Sequence, residues 1–132
     1  MAWYLDTSAF LKLAIQEPRS TELRAWAEAE EDRSGSLWSS DLLLTEAVRT
    51  ARRVSTEALK ATMDRLQRMA IVAITTDTYI RAGELDPAIL RSLDALHLAA
   101  ALSLGDDLEG IATYDARMTE AAGVLGLQTV AP

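Results

Sequence analysis

The sequence predicts an α/β fold with a mostly parallel central sheet of about five short strands, and three observations carry that prediction. Five short apolar runs rich in β-formers recur along the chain: AWYL (2–5), LWSS (37–40), IVAIT (71–75), GIATY (110–114) and LQTV (127–130). Segments with helical spacing of apolar residues separate them. No repeat, low-complexity tract or long linker divides the 132 residues, a length suited to one core, so residues 1–132 read as one domain. Short strands alternating with helices imply three layers, with helices on both faces of the sheet.

The elements follow in order. The first strand, 2–5, runs into Asp6, and a helix is predicted over 7–15. Pro18 separates it from a second helix over 20–31, whose end, EAEED (28–32), reads as solvated. The strand at 37–40 leads into a helix over 41–53 that Asp41 or Ser40 is placed to cap. A helix over 56–69 precedes the strand at 71–75, and helices over 77–84 and 92–104 follow, the second stopping at Gly105. After the strand at 110–114 comes a helix over 115–124, with Gly126 where it should end, and then the strand at 127–130.

Composition narrows the function. Hydrophobic residues make up 49% of the chain and charged ones 25%, an ordinary globular balance. The absence of cysteine removes disulfides, thiolate nucleophiles and Cys-bearing zinc sites, and agrees with a reducing compartment. No secretory signal stands at the N-terminus, and no apolar run approaches the roughly 18 residues of a membrane span. A cytoplasmic protein with no membrane contact is the expectation. The net charge of −7 argues against a general nucleic-acid binder, although Arg49–Arg68 holds six basic residues against two acids.

Four carboxylates stand in or directly against apolar sequence: Asp6 after WYL, Glu46 in LLLTEAV, Asp94 in SLDALHLAAAL and Asp115 after GIATY. Asp6 and Asp115 fall just past the carboxyl ends of predicted strands, the edge at which open α/β sheets bind ligands. The helix around Asp94 is apolar on nearly every face, so an ionised Asp there needs a partner, and no neighbouring basic residue on that helix supplies one. Basic side chains from elsewhere in the chain could pair with each acid, or the acids could converge on Mg²⁺ or Mn²⁺; the convergent reading fits better, since hard oxygen ligands suit those ions and no His/Cys cluster competes for zinc. Such a site points to phosphoryl chemistry. The alternative role of Asp6 and Asp115 is a helix N-cap, and that of Glu46 an exposed acid beside Arg49 and Thr50.

The stretches YLDTSAFLKL, DLLLTEAVR, SLDALHLAAAL and TYDARM resemble, in this order, the four signatures of PIN-domain ribonucleases. Length and single-domain economy are similar to the VapC toxins of toxin–antitoxin pairs. The resemblance covers essentially the whole chain and implies a three-layer α/β/α PIN-like fold. It implies that Asp6, Glu46, Asp94 and Asp115 are a catalytic acidic quartet holding one or two Mg²⁺ or Mn²⁺ ions. It further implies a metal-dependent endoribonuclease that hydrolyses RNA, a homodimer, and a small antitoxin whose C-terminal segment occupies a groove near the site.

Other residues have two readings each. Ser8 and Thr113 match family positions beside the first and last acids, and either orient ligands and waters or cap backbone. Arg49 and Arg53 share a helix face with Glu46, either as a solvated basic face or as positive charge that meets RNA phosphates. His97, the single histidine, reads as a core residue with one satisfied nitrogen rather than a general base. Trp3, Trp26 and Trp38 read as core or interface. A magnesium-dependent phosphatase of the haloacid-dehalogenase type would need a second Asp where the chain has Ser8, and a receiver-like domain would need a Lys after a late strand. A PIN-like module that only binds protein is the remaining alternative.

Overall fold

The computed structural model describes residues 1–132 and shows five strands and seven α-helices in three layers. In chain order they are β1 (Ala2–Leu5), α1 (Thr7–Ala14), α2 (Ser20–Ser34), β2 (Trp38–Ser40), α3 (Leu43–Val54), α4 (Thr56–Leu66), β3 (Ala70–Val72), α5 (Thr76–Glu84), α6 (Ser92–Leu102), β4 (Leu108–Ala112), α7 (Ala116–Val124) and β5 (Thr129–Val130). A 3₁₀ turn over Gly105–Asp107 joins α6 to β4. No helix is long and apolar enough to cross a membrane.

The sheet runs β3-β2-β1-β4-β5 with every pairing parallel. The chain builds outward from β1 through β2 to β3, then crosses back to place β4 on the other side of β1. Strand order therefore reverses between β1 and β4, which opens a crevice at their carboxyl ends. The register sets Leu5 beside Ala112, so the next residues, Asp6 and Thr113, face each other across that crevice.

Alternation along the strands distributes the core between two faces. Trp3 and Leu5 of β1 pack with Phe10, Leu13, Leu23 and Leu43 under α1, α2 and α3. Tyr4, between them, turns the other way and packs with Leu98, Ile111, Met118 and Ala122 under α6 and α7. Helix α6 is enclosed because Ala95 and Ala99 also meet Ala82 of α5. Gly110 of β4 makes room for Trp3: a Cβ there would stand 2.5 Å from Trp3 Cζ3 and 2.6 Å from the Gln128 carbonyl oxygen.

Three expectations need correction. Asp41 does not cap α3; its carboxylate accepts from the Ile74 N–H at 3.2 Å, binding β2 to the segment after β3, while Ser40 Oγ reaches only the Leu42 N–H at 3.4 Å. Strands β3 and β4 start before the predicted 71–75 and 110–114, because Ala70 pairs with Trp38 and Leu108 with Ala2. The acidic end of α2 is not wholly solvated, since Glu31 pairs with the buried Arg65. That pairing also removes Arg65 from the exposed basic surface.

Ser55 serves two helices at once. Its N–H closes α3 onto Ala51, and its Oγ accepts from Ala58 N–H at 2.9 Å to start α4. Ser55→Ala is expected to cost about 1 kcal/mol, read as a lower urea midpoint at unchanged slope; an unchanged midpoint would mean that water replaces the cap without loss.

Candidate metal and catalytic site

The crevice between β1 and β4 is lined by residues that each strand end and helix start positions. Asp6 is 4% exposed and sits as the N-cap of α1. Its Oδ1 accepts from Ser8 Oγ at 2.6 Å and from the Ala9 N–H at 3.0 Å, and its Oδ2 accepts from Thr113 Oγ1. A carboxylate offers about four lone-pair positions, so one remains open. Ser8 and Thr113 are themselves held, Ser8 by the Tyr114 N–H at 3.3 Å and Thr113 by the Asp115 N–H at 3.1 Å. The Asp6 N–H donates to the last carbonyl of β4, Ala112 O, at 3.3 Å. The first acid is thus fixed by both strands of the crevice.

Asp115 caps α7, its Oδ1 accepting from the N–H groups of Arg117 (2.8 Å) and Met118 (3.4 Å), which leaves Oδ2 unused by the fold. Both strand-end acids therefore cap helices and still keep oxygen lone pairs that the fold leaves without a partner. Asp94 lies in the first turn of α6, where the helix dipole favours an anion. Half-buried, it has its carboxyl raised above the ordinary range, first by burial and then by the charge of Asp115, with Asp6 adding to it against the opposing charges of His97 and Arg117. Like charges thus bear on Asp94 from both strand ends.

Glu46, on the first turn of α3, stands one step aside. Its Oε1 accepts from Thr7 Oγ1 at 2.9 Å and meets His97 Nε2 at 2.8 Å. Burial pushes its carboxyl up, but the His97 bond and charge and the Thr7 bond outweigh that and hold it below the ordinary range. His97 is 3% exposed, as a core residue should be, yet both ring nitrogens are engaged rather than one, with Tyr4 Oη 2.7 Å from Nδ1.

No three of the His, Asp and Glu side chains are gathered tightly enough to enclose an ion as they stand, the spacing that uncompensated like charges favour. The donor set nevertheless fits a hard divalent cation: carboxylate oxygens only, with free lone pairs on Asp6 and Asp115 and mutual repulsion centred on Asp94.

Arg49 and Arg53 are exposed on α3, Arg53 touching Thr50 Oγ1 at 3.4 Å. Two participants were missed by the sequence reading, Thr7 and Arg117. Arg117 is exposed, begins α7 beside Asp115, and its charge acts on Asp94. Its signal was present, a basic residue two positions beyond a strand-end acid. Trp3 is buried and meets Trp26 edge to face at 5.5 Å, and Trp38 is half-buried at the start of β2.

Comparison with known proteins gives consistent matches. Residues 3–124 match the family model described as PIN domain. The chain is 40% identical over 131 residues to Ribonuclease VapC46 of Mycobacterium tuberculosis, spanning 99% of this chain and 98% of that one. It is 37% identical over 133 residues to Ribonuclease VapC47 and 42% identical over 135 residues to Ribonuclease VapC35 of the same species, each covering 98% of this chain and 96% of the relative. In three dimensions it is similar to a chain in the crystal structure of VapBC2 from Rickettsia felis bound to a DNA fragment from their promoter. The TM-score is 0.75 at 15% identity over 98% of both chains, a likeness of fold.

Proposed function

Because the chain belongs to the PIN-domain family, we propose that it is a metal-dependent endoribonuclease, the toxin of a toxin–antitoxin pair, which hydrolyses RNA phosphodiester bonds. The observation that carries this reading is the placement of Asp6 and Asp115 as helix caps just past the paired carboxyl ends of β1 and β4, each with oxygen the fold leaves unpaired, and with half-buried Asp94 near enough to feel both charges. The ribonuclease names of relatives at 37–42% identity support the substrate class.

Asp6, Glu46, Asp94 and Asp115 would hold one or two Mg²⁺ or Mn²⁺ ions. When bound, such ions supply an activated water and offset charge that develops on the phosphate. The protein's own groups do the rest. Ser8 and Thr113 fix the rotamer of Asp6, so its open lone pair keeps one direction. Arg117, whose charge acts on Asp94, and the exposed Arg49 and Arg53 on the helix that carries Glu46 would supply the positive charge that meets RNA phosphates. Four of the twenty acids belong to the site, so the rest of the surface opposes RNA less than the net charge of −7 implies. A small antitoxin seated near the site and pairing of two copies complete the reading, the VapBC2 likeness supporting the antitoxin.

The test is incubation of total cellular RNA with the purified chain in Mg²⁺, in Mn²⁺ and in chelator. Discrete fragments formed only with metal are expected. Fragments that persist in chelator would remove the metal from the reaction, and intact RNA under every condition would favour a protein-binding module.

A second expectation concerns recognition. Arg49→Ala with Arg53→Ala is expected to raise KM about tenfold or more with little change in kcat, and to flatten the salt dependence of binding. Unchanged KM and salt slope would make these residues a solvated face.

A further inference from the structure

We propose that His97 is a positioning residue: clamped by Tyr4, it holds Glu46 Oε1 so that Oε2 alone is offered to the metal. The inference rests on the reading of Glu46 as a ligand and adds the device that aims it.

The residues come from three elements that the site already uses. Tyr4 is on β1 two residues before Asp6, His97 is one turn beyond Asp94 on α6, and Glu46 is on α3. Tyr4 is fully buried, and its Oη lies 2.7 Å from His97 Nδ1, a hydrogen bond that ties the imidazole to β1. Nε2 faces Glu46 Oε1 at 2.8 Å, and because a carboxylate oxygen only accepts, Nε2 is the donor in that bond. Thr7 Oγ1 donates to the same oxygen at 2.9 Å and lies 3.1 Å from Nε2.

Both ring nitrogens are spent in this chain, and the imidazole is 3% exposed, so His97 has no free nitrogen with which to take a proton from water. Its two bonds do a different task. A glutamate has three side-chain torsions, and at a half-buried position only fixed donors choose among its rotamers. Two donors converging on Oε1 make that choice and leave Oε2 without a partner in the protein. Outer partners of this kind typically contribute about 10–100-fold to metal affinity.

The experiment is calorimetric titration of Mn²⁺ alone into wild type, His97→Ala, His97→Gln and Tyr4→Phe, each first verified as folded by circular dichroism. His97→Ala is expected to bind Mn²⁺ about 10–100-fold more weakly, His97→Gln to recover part of the loss because its amide still donates, and Tyr4→Phe to lose less than His97→Ala. RNA cleavage by His97→Ala should return as Mn²⁺ is raised, with the pH profile unchanged in shape. Wild-type affinity in a folded His97→Ala overturns the proposal, as does cleavage that stays lost at saturating Mn²⁺. If His97→Ala does not fold, an unaltered Mn²⁺ affinity in Tyr4→Phe and His97→Gln overturns it equally. A wild type that binds no Mn²⁺ overturns the metal reading itself, and this inference with it.

Discussion

Asp94→Asn is expected to abolish RNA cleavage in Mg²⁺ or Mn²⁺ while making the metal-free fold more stable at neutral pH. Loss of an outer partner of a metal site costs about 10–100-fold, so loss of the acid on which the other charges converge should exceed about a hundredfold. The stability effect has the opposite sign because Asp94 is under pressure from burial, Asp115 and Asp6. Its carboxyl is raised in the folded chain above its value in the unfolded one. The folded state therefore holds the proton more tightly, and the carboxylate costs stability once pH exceeds the unfolded range near about 4. The penalty grows until pH passes the raised folded value and is absent in acid below both. Asn removes it, so the gain should be present at pH 7 and vanish near pH 3, and it should be modest because the side chain is partly solvated. Urea unfolding in chelator at the two pH values measures this directly. A variant less stable than wild type at pH 7 would make Asp94 structural, and cleavage within tenfold of wild type would remove it from the site.

Gly110→Ala is expected to destabilise the protein by about 1–3 kcal/mol or more. The added Cβ meets Trp3 Cζ3 at 2.5 Å and the Gln128 carbonyl at 2.6 Å. Neither can yield freely. The Trp3 ring is packed edge to face on Trp26, and Gln128 O accepts the Ile111 N–H at 2.9 Å as part of the β4–β5 join. Gly83, on α5 with nothing within 4 Å of its virtual Cβ, is the control, and Gly83→Ala should be neutral or stabilising. Thermal and urea denaturation of the two variants decide the matter; a Gly110→Ala loss below about 0.5 kcal/mol would show that the Trp3 ring moves aside at little cost.

The strand-end acids were legible because an apolar run that stops at a carboxylate is a local pattern: Asp6 follows WYL and Asp115 follows GIATY, and both lie where β1 and β4 give way to helices. Asp94 was legible as an acid with no local partner. The bond between Glu46 and His97 was not, since it joins residues 51 positions apart on two helices, α3 and α6, that cover opposite faces of the sheet. The same holds for Asp41, whose short carboxylate found the Ile74 N–H across the β2–β3 edge instead of its own helix start. Arg65 stood in a run of basic residues that reads as surface, and only the arrival of Glu31 from α2 makes its burial tolerable. Local chemistry is written in adjacent letters, whereas partners supplied by topology are not.

The two strand-end acids cap helices that belong to opposite layers, α1 over the face that buries Trp3 and Leu5, α7 over the face that buries Tyr4 and Ile111. The gap between them is consequently a caliper reading of how the two half-cores seat on the sheet. A shear of either layer changes that reading without breaking a bond inside it. A core substitution remote from the strand ends would thus alter the spacing of the two acids, a property that both layers must keep in agreement.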